Sequence, residues 1–310
     1  MQIKGFFANR SALFHLGVLL YLILIGLLLN TFVGYYIISI SNLLSGNATE
    51  NKSFSSFYTL HAVQFASSLL IILLPALLTA YFCNKKPGEF LSIQKITDAR
   101  ILILSLVMIL LLSPLIEITS YLNSNILLPE FMAPIEDWMR KKEEFTAKTT
   151  EILLSKEGFL PYMTNILIIG VMAGLTEELL FRGALMSIIR KKIKNPHIAI
   201  WIIAFIFSAI HLQFYGFIPR ILLGAYMGYL LYWTRNIWVP VFAHFINNTI
   251  VIAGYKTGLF QFSSGNSSFT TTDMEANELY ATIAVAVIGI ILFVICAKIM
   301  KKLTKQAINH

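Results

Sequence analysis

The sequence predicts an all-α polytopic membrane protein, with about eight transmembrane helices around an intramembrane polar cavity. Two observations predict this fold class. Hydrophobic residues make up 57% of the 310 residues and charged residues only 13%, whereas charged residues are about 25% of a typical soluble domain. In addition, apolar segments long enough to span or nearly span a bilayer recur along the whole chain.

Eight apolar segments account for the predicted helices. The first is too long for the core of a signal peptide and has no small-residue cleavage site, so we interpret it as a transmembrane helix. The fifth and sixth are short, and they form either a tilted pair or a partly re-entrant one. The segments lie near Leu13–Ile38, Tyr58–Phe82, Ile101–Tyr121, Tyr162–Ile189, Ile198–Leu212, Ile218–Trp233, Ile237–Tyr255 and Tyr280–Met300.

The basic residues predict the topology. With the N-terminus inside, the short outside loops contain only Lys52, Arg220 and Lys256, whereas basic clusters such as 190–194 and 298–305 fall inside. The positive-inside rule therefore predicts cytoplasmic termini, and a re-entrant fifth or sixth segment would place the termini on opposite sides. The net charge of +8 reflects these topology signals, and no nucleic-acid motif accompanies it. A multi-pass protein without a targeting motif fits a bacterial inner membrane better than an organelle.

We divide the chain into four regions. Residues 1–122 hold the N-terminal helices, and residues 123–158 form a connecting segment in which charges of both signs alternate with apolar residues. That alternation predicts an amphipathic helix on the membrane surface, which either helps to admit a substrate or is a solvated connector. Residues 159–255 carry the polar motifs. Residues 256–310 contain a Ser- and Asn-rich outside loop (257–277), the last transmembrane helix and a basic tail.

Two adjacent carboxylates and an arginine lie inside the fourth apolar segment. A charge at bilayer depth costs roughly 2.5–3.5 kcal/mol on insertion scales, so such residues usually pair and mark a functional site. Glu178 and Arg182 are four residues apart and can form an ion pair on one helical face. Glu177 is rotated away from Arg182, and as the unpaired carboxylate it is suited to act as a general base. The alternative is a buried ion-pair network that only locks helices together.

Two later segments each contribute further polar groups. The fifth ends with Phe207 and His211 on one helical face, and the seventh carries His244 and Asn248 one turn apart. These groups suit hydrolysis of an amide. Glu177, assisted by His211, would deprotonate water, and the His244 and Asn248 side chains would donate hydrogen bonds to the oxyanion.

A metal-assisted mechanism competes with this one. Glu177, His211 and His244 are residue types that hold Zn²⁺ with a bound water in the fourth position. The HExxH signature is absent, however, and Asn248 is a poor zinc ligand. We therefore favour the mechanism that requires no cofactor and keep zinc as the alternative.

The three motifs together resemble the CPBP family of CAAX proteases and bacteriocin-processing proteins, also called ABI. Residues 177–182 resemble its EExxxR motif, residues 207–211 its FxxxH motif and residues 244–248 its HxxxN motif, in the family's order. The resemblance extends from about Phe159 to Tyr255, and the core positions show no departure from the pattern.

The resemblance implies an intramembrane endopeptidase similar to the type II CAAX prenyl endopeptidase. It implies a peptide or protein substrate cleaved near the membrane surface, with membrane lipids as the other partners. It does not identify that substrate, and the candidates are a lipid-modified or a membrane-associated C-terminal peptide. The alternative is a non-catalytic scaffold or bacteriocin-immunity protein; a transporter ranks last because repeated halves are absent. The roles implied are catalysis for Glu177, His211, His244 and Asn248, and support for Glu178, Arg182 and Phe207.

Overall fold

The computed structural model describes residues 3–45, 49–96, 98–126, 128–258 and 276–308, although the side chains of residue 45, residues 49–55, residue 276 and residues 307–308 are outside the description. Within these ranges the regular structure is helical and contains no strand. Most of the predicted outside loop at 257–277 lies outside the described residues.

The described residues form ten helices, which are numbered here in chain order, and two of them contain π-helical turns. The π turns are Ser68–Leu73 in α2, and Ile166–Met172 and Leu179–Leu185 in α6. A three-residue 3₁₀ turn, Glu130–Met132, precedes α5. The helices are α1 (Ala12–Ser45), α2 (Thr49–Ser67 continuing to Leu74–Cys83), α3 (Pro87–Phe90), α4 (Arg100–Ser124), α5 (Ala133–Ser155), α6 (Phe159–Lys192), α7 (Pro196–Ala209), α8 (Phe217–Thr234), α9 (Trp238–Lys256) and α10 (Ala276–Ile308).

Five helices in the described part of the chain are long and apolar enough to cross a membrane. They correspond to the first, second, third, fourth and eighth predicted segments. The all-α polytopic fold is therefore confirmed, whereas the count of eight spanning helices and their arrangement around a polar cavity stay predictions. The helix α7 is apolar but shorter than these five.

The chain divides into two compact units, and each is described by itself. The first unit consists of Met1–Gln94, Ile152–Ala199 and His244–Ile252, and the second of Lys95–Glu151, Ile200–Ala243 and Ala253–His310. These boundaries cut across the four predicted regions, whose limits stay predictions.

In the first unit, α6 packs against α2 and α1. Its α-helical part before Leu179 lies on the π turn of α2, and its second π turn lies on the C-terminal part of α2. At its C-terminal end, the Nζ of Lys191 is 2.8 Å from the Nδ1 of His15 on α1, and the Nε2 of His15 is 2.8 Å from the Phe7 carbonyl oxygen. Because the carbonyl only accepts, Nε2 carries the proton and Nδ1 accepts from the ammonium. This contact fixes the end of the helix that carries the two carboxylates.

In the second unit, α10 and α8 pack along α4. The backbone of α10 approaches α4 so closely at Gly289 that a side chain there would collide with the Leu111 carbonyl. The Tyr226 hydroxyl of α8 donates a hydrogen bond of 2.6 Å to the Ser105 carbonyl of α4, which satisfies a buried polar group in an apolar region.

Candidate active site

The carboxylate pair of α6 lies where an α-helical stretch changes into a π turn. Glu178 ends the segment Ala173–Glu178, and Arg182 lies within the π turn that follows. The Arg182 Nη1 donates to the Glu178 Oε1 at 3.0 Å, and both side chains are 0% exposed. The ion pair predicted from the four-residue spacing is therefore confirmed. π turns frequently occur at functional sites because they shift side chains out of the regular helical register.

His244 of α9 contacts both carboxylates. Its Nδ1 lies 2.8 Å from the Glu178 Oε1, and its Nε2 lies 3.8 Å from the Glu177 Oε2. A carboxylate oxygen accepts hydrogen bonds, so Nδ1 carries a proton and donates it to Glu178. The two carboxylates outnumber the single guanidinium, and a proton on Nε2 as well would make the four-group cluster neutral. Such a balance lowers the cost of keeping the cluster away from water.

The two carboxylates differ in their exposure. The Glu178 side chain is fully buried, whereas the Glu177 side chain remains 17% exposed. Glu178 Oε1 accepts from both Arg182 and His244. Its Oε2 is buried without a hydrogen-bond partner among the described side chains and backbone. Glu178 therefore holds the cluster together, and Glu177 is the carboxylate that a small molecule can reach.

Asn248 is anchored to α6 one turn after His244. Its Nδ2 donates to the Ile169 carbonyl oxygen at 2.9 Å, within the first π turn of α6, and its Oδ1 accepts from Asn247 at 3.3 Å. The amide nitrogen carries two hydrogens, and this bond uses one of them. The side-chain orientation of Asn248 is thus fixed by α6, the helix that carries the carboxylates.

Phe207 and His211 lie in the second unit. The sequence predicts both on one helical face, but α7 ends at Ala209 and His211 lies in the turn that follows, because Leu212 adopts a left-handed backbone with φ of 52°. The side chain of His211 nevertheless returns to Phe207. Its Nδ1 is 2.6 Å from the Phe207 carbonyl oxygen, and the two ring centroids are 4.8 Å apart in an edge-to-face arrangement.

The contact with Phe207 decides the tautomer of His211. Because a carbonyl oxygen only accepts, the Nδ1 of His211 carries the proton, and the lone pair of the neutral ring resides on Nε2. A neutral imidazole with a basic Nε2 is the form that a general base requires. The catalytic role assigned to His211 stays a prediction.

An apolar cavity of about 570 Å³ lies within the second unit. It is bordered by Trp138 and Met139 of α5 and by Leu212, Phe214 and Phe217 beside the turn that carries His211. A mostly apolar pocket of this size is typical of sites for small molecules or for the apolar groups of larger substrates.

Sequence reasoning missed three contacts. It did not pair His244 with Glu178, because nothing local connects residues 66 positions apart. It also overlooked Glu143 and Asn123, whose side chains hold the peptide of Phe214. One local signal existed for Glu143. The residues four positions before and after it, Met139 and Ala147, are not cations, whereas Glu136 has Arg140 at that spacing and pairs with it.

The donor set tests the zinc alternative. Nδ1 of His244 is engaged with Glu178, which leaves Nε2 as the nitrogen that a metal would take, near Glu177 Oε2. Over the described ranges, no group of three or more His, Cys, Asp or Glu side chains is arranged to hold a metal ion. The third predicted ligand, His211, belongs to the second unit.

Comparison with known proteins covers the region of the three motifs. A family model described as type II CAAX prenyl endopeptidase Rce1-like matches residues 159–250. A curated relative, the uncharacterized protein YpbD of Bacillus subtilis (strain 168), is 30% identical over 90 residues, which are 28% of this chain and 43% of YpbD. The chain thus spans less than half of the length of that relative. No solved structure matches the chain. The predicted resemblance is confirmed in this region, because residues 159–250 match the Rce1-like family model.

Proposed function

We propose that the chain is an intramembrane endopeptidase that hydrolyses a peptide bond near the membrane surface. The observation that carries the proposal is the difference between two adjacent carboxylates. Glu178 is buried and bound by Arg182 and His244, whereas Glu177 is partly exposed and lies 3.8 Å from His244 Nε2. A carboxylate held beside an imidazole, within a region of a protease family, is suited to activate water.

In the proposed reaction, the Glu177 carboxylate accepts a proton from water. The resulting hydroxide attacks the carbonyl carbon of the scissile peptide bond, and the electron pair of the C=O bond moves to the oxygen. His211, through the basic Nε2 of its neutral ring, assists in orienting the water. The C–N bond then breaks, and the proton held by Glu177 passes to the leaving amine, so that the carboxylate is restored.

His244 and Asn248 stabilise the oxyanion in this scheme. With Nδ1 donating to Glu178, the Nε2 of His244 is a donor when the ring is an imidazolium, and Glu178 and Glu177 both favour that charge. The Asn248 amide has a second N–H beyond the one given to Ile169. Donors fixed in advance around a developing negative charge are a strong source of rate enhancement in a dry site.

The apolar cavity of the second unit supports a substrate with an apolar group, either a large side chain or an attached lipid chain. Such a group, in a protein whose described residues include five membrane-type helices, fits a lipid-modified or membrane-associated C-terminal peptide. We further propose that both termini lie on the cytoplasmic side of a bacterial inner membrane, because the positive-inside rule places the basic clusters on that side.

The proposal is tested with the purified full chain in lipid nanodiscs and a farnesylated peptide that ends in a Cys-aliphatic-aliphatic-X sequence. We expect cleavage by the wild type and by the control Glu144→Gln, whose side chain is exposed, and none by Glu177→Gln. Activity that disappears with a chelator and returns with Zn²⁺ would favour the metal-assisted alternative. Equal cleavage by the wild type and Glu177→Gln would refute the assigned role of Glu177. If neither the wild type nor Glu177→Gln cleaves the peptide and the two function equally in cells, the scaffold or immunity alternative is favoured.

A further inference from the structure

The amphipathic helix α5 is largely exposed between residues 133 and 151, and the side chains buried there are those of Glu143 and Ala147. Its other charges behave as expected for a surface helix: Arg140 pairs with Glu136 and Lys141 with Asp137, each at 2.6 Å. Glu143 is 1% exposed. A carboxylate is an unusual residue at the buried contact of such a helix, because burial without a partner is costly.

Glu143 contacts the turn that carries His211. Its Oε2 accepts a hydrogen bond of 3.1 Å from the backbone N–H of Phe214, three residues after His211. Burial raises the pKa of Glu143, while Arg220 and the backbone N–H groups of Phe214 and Tyr215 act in the opposite direction. The carboxylate is thus compensated by the turn itself and by the first part of α8.

The peptide of Phe214 is held from both sides. The Asn123 Nδ2 of α4 donates to the Phe214 carbonyl oxygen at 2.8 Å, and the Asn123 Oδ1 accepts from Ile218 N at 2.7 Å. The aromatic ring of Phe214 packs against Trp138 of α5 with centroids 5.1 Å apart. Two buried side chains and one ring contact therefore determine the position of this residue.

The turn needs such support because its backbone is strained. Seven residues, 210–216, connect α7 to α8, and Leu212 has φ of 52° directly after His211. The left-handed conformation is unfavourable for a residue with a branched side chain, and it persists where the surrounding contacts enforce it. No glycine relieves the strain at that position.

We propose that Glu143 is a positioning residue that fixes the 210–216 turn and thereby the imidazole of His211. In this arrangement the surface helix α5 determines how His211 is oriented. The consequence for hydrolysis rests on the proposed function, whereas the consequence for the turn does not.

The competing explanation is that Glu143 only anchors α5. An anchor would affect the stability of α5 and leave the turn and the rate per folded molecule unchanged. Three variants separate the explanations. Glu143→Ala and Glu143→Met remove the acceptor, and the methionine keeps the volume in case the alanine variant does not fold. Glu143→Gln keeps an acceptor oxygen for Phe214 N–H. Glu144→Ala, at the neighbouring exposed position, is the matched control.

The first readout is hydrogen–deuterium exchange of the full chain in nanodiscs. In Glu143→Ala and Glu143→Met, we expect amides of the 210–216 turn to exchange on the order of tenfold faster or more, because the hydrogen bond from the Phe214 N–H to the side chain of residue 143 is lost. Exchange in α8 beyond its first turn, which is bonded to the 210–216 turn, should not change. Glu143→Gln and Glu144→Ala should match the wild type. Unchanged exchange of the turn in both acceptor-free variants would overturn the proposal.

The second readout is steady-state cleavage of the farnesylated peptide. We expect Glu143→Met to lower kcat roughly tenfold with little change in KM, since a displaced catalytic group costs rate rather than binding, and Glu143→Gln to restore it. The acceptor-free Glu143 variants could exchange faster at the turn while the wild type shows no Glu177-dependent cleavage. That result would refute the proposed function and leave the role of Glu143 in the turn intact. Glu177-dependent cleavage with a wild-type kcat in Glu143→Met would refute the control of His211 by Glu143.

Discussion

The two histidines of the motifs are held in opposite ways. His244 lies in a helix and donates to the buried carboxylate of Glu178, with Glu177 near its other nitrogen. His211 lies in a strained turn and donates to a main-chain carbonyl. Carboxylates favour the imidazolium, whereas a neutral carbonyl fixes a tautomer without requiring a charge. The comparison indicates that His244 is suited to donate hydrogen bonds and His211 to accept one from the attacking water through Nε2.

The two regions also differ in what keeps them in place. The polar cluster of the first unit depends on compensating charges on helices, so that removal of one charge leaves another buried and unpaired. The turn of the second unit depends on hydrogen bonds to backbone groups from Glu143 and Asn123. Substitutions of Glu178, Arg182 or His244, the buried members of the cluster, should therefore affect both stability and rate, and substitutions around the turn mainly the rate.

The largest effect is expected for Glu177. Glu177→Gln should lower kcat by roughly 10²–10⁴-fold, the range for loss of a general base. Thermal stability should change little, because Glu178 and not Glu177 is bonded to Arg182. Cleavage kinetics and the temperature of inactivation measured on the same preparation check both parts. A large loss of stability would show that Glu177 belongs to the structural part of the cluster.

Among these substitutions, the largest loss of stability is expected for those in the Glu178–Arg182 pair. Arg182→Met should destabilise the protein by about 3–5 kcal/mol, because a buried carboxylate loses its cation. The double variant Glu178→Gln/Arg182→Met should recover most of that loss. Thermal unfolding of the single and double variants in detergent measures the coupling, and additive losses would contradict a paired arrangement.

A smaller effect, confined to the rate, is expected for His211. His211→Asn keeps an N–H group near the position of Nδ1 and removes the basic Nε2, so kcat should fall roughly tenfold to a hundredfold with an unchanged thermal midpoint. The matched variant His244→Asn should lose stability as well as rate, since its partner Glu178 is buried. Similar stability losses in both variants would erase the contrast between the histidines.

The smallest effect concerns the pH dependence at Glu143. Burial raises its pKa, so the folded protein binds this proton more tightly than the unfolded chain does. The resulting contribution to stability is complete below the unfolded pKa and disappears as the pH rises through the folded pKa. Glu143→Gln should therefore match the wild type in acid and be more stable than the wild type at neutral pH. Thermal midpoints across this pH range measure the difference, and a variant less stable at neutral pH would contradict the sign.

Local periodicity explains which features could be predicted from sequence. Four-residue spacing was sufficient for Glu178 and Arg182, which lie on one helix, and long apolar segments were sufficient for the membrane helices. The pairing of His244 with Glu178 depends on the packing of α9 against α6, which no local pattern encodes. Glu143 resembles the exposed acids of α5 in sequence, and its burial follows from what packs on the helix rather than from the helix itself. The end of α7 at Ala209 depends on a left-handed Leu212, a conformation for which glycine is the usual signal.

The most direct test of the central claim compares the peptide N-termini in membranes of cells that express the wild type or Glu177→Gln at matched levels. The proposed function predicts a set of N-termini that appears only with the wild type, which would also identify substrates. Identical sets from the two proteins would contradict proteolysis that depends on Glu177 and favour a scaffold that uses the same cluster for structure alone.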